Sequence, residues 1–295
     1  GADFALAPGG WGDYHDTDRM ESAMAEILQH LPMLVLLMVI GAFSGVISGL
    51  LGVGGGIVLV PAFFYAFTSL GYGSETLMRV CIATSLATII VTSIRSVQAH
   101  NKRGAVDWGI LRGWAPGMVV GAVIGGFAVS QLQTTALQAI FGGLALVVAF
   151  YLGLGRAEWR FADKMPGAIG RGILSPLVGF LSVLMGIGGG SFGVPLMTLF
   201  GVPIHRAVAT ASGWGVAIAL PSVALFLFTP VENAPPYTVG VVNIPAFALI
   251  IATSLQTTPY GVKLAHSMDP KPLKRVFAGF LALVALNMLR KAVGW

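Results

Sequence analysis

The sequence predicts an all-α integral membrane protein of two inverted five-segment repeats, each a glycine-broken re-entrant hairpin plus three spanning helices. Three observations carry that prediction. Hydrophobic residues make up 56% of the 295-residue chain and charged residues only 10%, against roughly a quarter charged in a soluble domain. Apolar runs of about 20 residues, enough to cross a hydrocarbon core, recur along the chain. Finally, GVISGLLGVGGGIVLVP at 45–61 returns as GFLSVLMGIGGGSFGVP at 179–195. Gly45, Ser48, Gly52, Gly54, Gly55, Gly56, Val60 and Pro61 recur 134 positions later as Gly179, Ser182, Gly186, Gly188, Gly189, Gly190, Val194 and Pro195.

Residues 1–30 form an acidic polar tail, with Asp3, Asp13, Asp16, Asp18, Glu21 and Glu26 against Arg19. No basic region precedes a short apolar core there, so no cleavable leader is expected. Met20 and Met24 are both possible starts. The first transmembrane repeat, 31–154, divides into apolar segments at about 31–51, 57–70, 79–99, 109–130 and 136–154. A polar linker, 155–168, carries Arg156, Arg160 and Lys164. The second repeat, 169–295, has segments at about 169–187, 191–200, 206–229, 240–260 and 271–292.

The halves also match outside the glycine runs. Gly104, Gly125, Phe141 and Gly143 recur 136 positions later as Gly240, Gly261, Phe277 and Gly279. Ala83-Thr84-Ser85 has a counterpart within Ala209-Thr210-Ala211-Ser212, with an offset ambiguous by one residue. A five-segment unit is odd, so a second copy must sit upside down relative to the first, the plan of many secondary transporters.

Loop charges give the orientation. Lys102, Arg103 and Arg112 flank the third-to-fourth loop, and Lys263, Lys271, Lys274 and Arg275 flank the ninth-to-tenth. With the basic linker, these loops are expected in the cytoplasm. Arg290 and Lys291 are the discordant pair. The runs behind the two glycine stretches would span only about 20 Å and about 15 Å. Residues 31–70 and 169–200 are therefore expected to be hairpins whose glycine turns meet near the midplane, while the other six segments span.

A triple glycine breaks a helix, because it costs backbone entropy and bares peptide groups. Inside hydrocarbon such a break survives only where protein or a polar cavity covers it. Free N–H groups at the start of the following helix attract anions, and glycine lets an oxyanion approach closely. Gly52, Gly54, Gly55, Gly56 and Gly186, Gly188, Gly189, Gly190 are thus candidate substrate-binding positions. Ser48 and Ser182, one turn earlier, and Ser191, directly after the second run, could add hydroxyls. Close helix packing is the competing explanation for small residues in membranes. It suffices for Gly41–Gly45 and Gly121–Gly125, but not for two matched helix-breaking runs. A nucleotide phosphate loop is excluded, since no Lys-Ser or Lys-Thr follows either run.

Thr84, Ser85, Thr210 and Ser212 are further candidates, because hydroxyls donate to an anion without burying a charge. The competing role is a bond to their own or a neighbouring helix. Arg95, the cation deepest within an apolar segment, could pair with an anion on the cytoplasmic side or simply snorkel to the interface. Cys81, the only cysteine, rules out an intrachain disulfide or a cysteine metal cluster.

None of the twelve acidic residues falls inside these segments. A buried carboxylate relay for protons is therefore missing, and a cation substrate would find no counter-charge. Any proton coupling is left to His100, His205 and His266 at segment ends, to water, or to the substrate itself. The net charge of +5 is spread over short loops, so no nucleic acid partner is expected. No HExxH or GxSxG motif points to catalysis, and neither a cofactor nor a metal is expected.

The paired G-x-x-S-x-x-x-G-x-G-G-G-x-x-x-V-P motifs resemble the TauE/SafE sulfite exporter family. So do ATSL at 83–86 and His100, Lys102, Arg103, Gly104, Val106, Asp107 and Trp108. The likeness covers roughly residues 31–292, and the second half has VATAS where that family usually carries A-x-x-T-S. The resemblance implies transport of sulfite, sulfonates or related sulfur anions across the bacterial inner membrane, with lipid as the surroundings. Export of sulfite is the leading expectation. Import of an organosulfonate or thiosulfate, a non-transporting sensor or scaffold, and an intramembrane enzyme remain the alternatives.

Overall fold

The computed structural model describes residues 13–52, 54–155, 160–267 and 271–294. Arg156 and the first twelve residues of the expected tail lie outside them. The chain divides into Gly1–Leu36, which holds the start of the first helix, and Leu37–Trp295, which holds all other elements.

Ten helices follow in order: α1 (Asp13–Leu51), α2 (Gly56–Ser69), α3 (Leu77–Asn101), α4 (Trp108–Gln131), α5 (Thr134–Leu154), α6 (Ala168–Leu184), α7 (Gly190–Leu199), α8 (Ile204–Leu227), α9 (Ile244–Ser267) and α10 (Lys271–Ala292). Each apolar segment read from the sequence corresponds to one of them. Two differences have local causes. Helix α1 begins at Asp13, well before the apolar run. The ninth helix starts later than expected, because Thr238–Val239 (β1) and Val242–Asn243 (β2) pair as a small antiparallel hairpin.

Five helices are long and apolar enough to cross a membrane: Leu31–Leu51, Leu77–Asn101, Trp108–Gln131, Thr134–Leu154 and Ile204–Leu227. The short apolar helices Gly56–Ser69 and Gly190–Leu199 are the runs expected to be too short to span. Helices α9 and α10 match the five spans in length, but Gln256 and Lys263 interrupt the one and cations sit at both ends of the other. The protein is a multi-pass integral membrane protein. Its lipid-facing belt includes Ile124, Phe127, Val147, Phe150, Leu283 and Leu286, all exposed.

Helix α3 lies at the centre: 78% of its most apolar stretch is buried, against 39% for α4 and for α5. It packs on α8, α9 and α2, and α8 packs in turn on α4 and α7. The contacts recur at the spacing of the sequence repeat. A methyl group on Gly45 would strike the backbone of Ser254, and one on Gly179 the backbone of Met118. Likewise Gly261 abuts the Val46 carbonyl, and Gly125 the Phe180 carbonyl. Glycine is required at these crossings because helix backbones touch there.

The helix caps repeat as well. Asp107 caps α4 by accepting from the Ile110 N–H at 3.0 Å, and Asn243 caps α9 by accepting from the Ala246 N–H at 3.1 Å. The cap residues' own amides donate across the halves, Asp107 N–H to Thr210 Oγ1 and Asn243 N–H to Thr84 Oγ1, both at 2.9 Å. These bonds settle the ambiguous register: Thr84 corresponds to Thr210. The discordant Lys291 also finds a place, with its ammonium 4.5 Å from the Tyr65 ring and 5.1 Å from that of Phe64.

Candidate functional site

Both glycine runs terminate a helix in the way their residues dictate. Gly52 and Gly186 adopt φ of +66° and +62°, the left-handed cap that L side chains resist. Gly52 N–H closes on Ser48 O at 3.0 Å, and Ile187 N–H on Ser182 O at 2.9 Å. Beyond that point the runs diverge. Gly54 and Gly55 are left-handed at +77° and +75°, whereas Gly189 is right-handed at −62°.

The two loops meet. A methyl group on Gly54 would lie 3.5 Å from the Cα of Gly188, and one on Gly56 would strike the Gly186 carbonyl. Ser85 of α3 holds the second of them, its hydroxyl donating to Gly186 O at 2.7 Å. The first loop is packed shut, with Gly52 on the Val208 carbonyl and Gly55 on Ser44 Oγ. The second opens onto a small cleft lined by Gly190, Ser191, Tyr151, Leu51, Val208 and Phe277. In α7 the first amide to close back on the loop is that of Gly193, which donates to Gly189 O at 2.8 Å. The amides of Gly190, Ser191 and Phe192 precede it, in the orphan positions of a helix N-terminus.

Hydroxyls around the loops fall into two groups. Ser48, Ser182 and Ser191 are buried without a hydrogen-bond partner among the described residues, which is costly unless something else satisfies them. Thr84, Thr210, Ser85 and Ser212 are already engaged. The threonines accept the cap amides, Ser85 holds Gly186, and Ser212 donates to Ala209 O at 2.7 Å within its own helix. Arg95 is exposed on α3 and is not brought to the buried loops.

The sequence reading missed two groups. Ser44 Oγ and Trp214 Nε1 are also buried and unpartnered. Ser44 lies against Gly55, and Trp214 packs on Gly189 and Gly193. A tryptophan inside an apolar segment is the signal that could have found the latter, since a buried indole N–H ordinarily has a partner.

A second small cleft is lined by His100, His205 and His266 together with Leu51 and Val208. The last two residues are shared with the cleft at Ser191. They form the partition between the two spaces.

The family model described as sulfite exporter TauE/SafE matches residues 37–288. A "probable membrane transporter protein" of Haemophilus influenzae is 32% identical over 88% of this chain and 98% of its own length. One from Methanocaldococcus jannaschii is 26% identical over 88% of this chain and 97% of its own. Another, YunE of Bacillus subtilis, is 32% identical over 60% of this chain and 72% of its own. No solved structure matches the chain. The chain belongs to the sulfite exporter TauE/SafE family and is a membrane transporter rather than an enzyme.

Proposed function

We propose that this membrane transporter moves a small sulfur-containing anion, with sulfite exported across the bacterial inner membrane as its main reaction. The anion is held where the two glycine loops meet, by the open amides of Gly190, Ser191 and Phe192 and by the hydroxyls of Ser48, Ser182 and Ser191. One observation carries the reading: unpartnered buried hydroxyls gather around two abutting helix breaks. Donors without acceptors are what a dehydrated oxyanion requires. Gly54 and Gly56 let the first loop sit on Gly188 and Gly186 of the second, Gly55 packs on Ser44, Ser85 holds Gly186, and Thr84 and Thr210 hold the caps of α9 and α4. Ser212 and Arg95 stand outside the cradle.

The two halves, 31–154 and 169–295, act as inverted repeats rocking about this centre, joined by a cytoplasmic linker at 155–168. Supporting this are the matched contacts and caps, which recur at the repeat spacings of 134 and 136 positions. With no nucleotide motif, the driving force is the anion gradient and the membrane potential. An interior-negative potential favours anion exit by about 2.3 kcal/mol per charge per 100 mV.

The test is efflux of radiolabelled sulfite from proteoliposomes, with competition by sulfate, thiosulfate and short sulfonates. Saturable efflux that sulfite inhibits better than sulfate is expected. Efflux no faster than from protein-free liposomes, for every one of these anions, would refute the substrate class.

A further inference from the structure

Three histidines far apart in sequence converge at one end of the helix bundle. They come from the end of α3, the start of α8 and the end of α9. The His100 and His266 ring nitrogens Nδ1 and Nε2 are 3.1 Å apart, and His100 Nε2 lies 3.1 Å from the Gly49 carbonyl. His205 stacks on His266, with ring centroids 5.8 Å apart and planes 21° apart. Burial deepens along the series: His205 is exposed, His266 half-buried, and His100 fully buried at 0% exposure.

The bonding pattern fixes the tautomers. The Gly49 carbonyl only accepts, so His100 Nε2 carries a proton. Neutral His100 then accepts at Nδ1, so His266 must donate from Nε2. The nitrogen of the pair left to take a proton is His266 Nδ1. One added proton preserves every bond, and the charge can pass to His100 by transfer across the 3.1 Å contact. A second would set N–H against N–H at that distance. The pair therefore holds one proton.

Among the described residues, the charged or titratable groups facing the pair are His205, which stacks on His266 at the solvent side, and Arg103. Helix α1 presents only the Gly49 carbonyl, α8 brings His205, and the loop after α3 brings Arg103, a cation that acts on both rings. The repeat-related positions carry no equivalent cluster. At the repeat spacings, His100, His205 and His266 correspond to Phe226, Arg79 and Ser130. The cluster is one-sided in an otherwise paired molecule. Its cleft adjoins the one at Ser191 through Leu51 and Val208, and Gly49 precedes the first glycine break by three residues.

We propose that His100 and His266 form a single proton-binding site, reached from solvent past His205, and that its proton is coupled to movement of the anion. This rests on the anion reading above. In the coupled step His266 takes a proton at Nδ1, the resulting cation draws an anion past Leu51 and Val208, and the proton leaves when the anion does. No bond other than N–H forms or breaks.

Two measurements test it separately from the identity of the substrate. In the purified full-length protein with ¹⁵N-labelled histidine, NMR should show one proton shared by His100 and His266 as pH falls. In His266→Gln, the His100 titration should disappear or move by more than a pH unit. Two independent one-proton titrations, or a His100 titration unmoved in the variant, would overturn the proton site even if sulfite is transported. In proteoliposomes at zero potential, the ratio of sulfite efflux with and without an imposed pH gradient should be at least fivefold for the wild type. It should fall within twofold of unity for His266→Gln. An equal ratio in both proteins would overturn the coupling, whereas loss of wild-type efflux altogether with an intact shared titration would overturn sulfite as substrate and with it the coupling to sulfite.

Discussion

Gly54 and Gly188 stand against each other: a methyl group on Gly54 would lie 3.5 Å from the Gly188 Cα and 3.2 Å from two side-chain carbons of Ile89. Two helix-breaking loops, 134 residues apart in sequence, are therefore in contact at the heart of a membrane protein. At Gly56 a methyl group would strike the Gly186 carbonyl, so there the loops could not close with a side chain in place. The predictions below follow from that contact and from the unpartnered groups around it.

Gly55→Ala and Gly71→Ala separate strain from collision. Both positions are left-handed, at φ +75° and +87°, but a methyl group at 55 meets Ser44 and one at 71 meets nothing. Gly71→Ala should cost about 1–2 kcal/mol, the left-handed penalty alone. Gly55→Ala should cost more, read as a larger fall in unfolding temperature.

Ser191→Ala distinguishes a ligand-binding hydroxyl from a packing one. Ser191 is 3% exposed and its hydroxyl is unpartnered. Removing it costs the empty protein nothing, and relieves a buried unsatisfied group. Stability should hold or rise, while anion affinity falls about tenfold, the value of a charge-assisted bond near 1.4 kcal/mol. Isothermal titration with sulfite alongside thermal unfolding reads both.

Thr84→Val and Thr210→Val remove the acceptors of the Asn243 and Asp107 amides. Each leaves a backbone N–H without its partner, a loss of about 1–3 kcal/mol. The bonds are equal in length at 2.9 Å, and equivalent halves should give losses within about 1 kcal/mol of each other. Chemical unfolding in detergent measures the pair.

Arg95→Gln tests the exclusion of the one intramembrane cation the sequence raised. The side chain is exposed on α3, as expected of a residue snorkelling to the interface. Efflux should stay within twofold of the wild type. A tenfold loss with normal membrane insertion would bring Arg95 back to the transport path.

Much of this architecture was readable because membrane segments carry strong signals. GVGGG and GIGGG cannot continue a helix, and the breaks fall there, with α2 and α7 starting at Gly56 and Gly190. The serine positions followed from the repeat. Less visible was the asymmetry of the loops, since identical glycines adopt different φ values according to what surrounds them. The hairpin at Thr238–Asn243 left no trace because its strands are two residues each. The meeting of His100 with His266 spans 166 positions, and no local pattern announces such a contact. Trp214 sits inside the apolar segment 206–229, and only its unpartnered indole nitrogen marks it out.

The most direct test of the central claim is sulfite efflux by Gly55→Leu and Gly189→Leu in proteoliposomes, with membrane insertion and helix content verified for each. Leucine at 55 would drive into Ser44, and at 189 into Trp214. Both variants should insert, keep their helices and lose efflux. Near-wild-type efflux from both would return the glycine runs to a packing role and contradict the anion cradle.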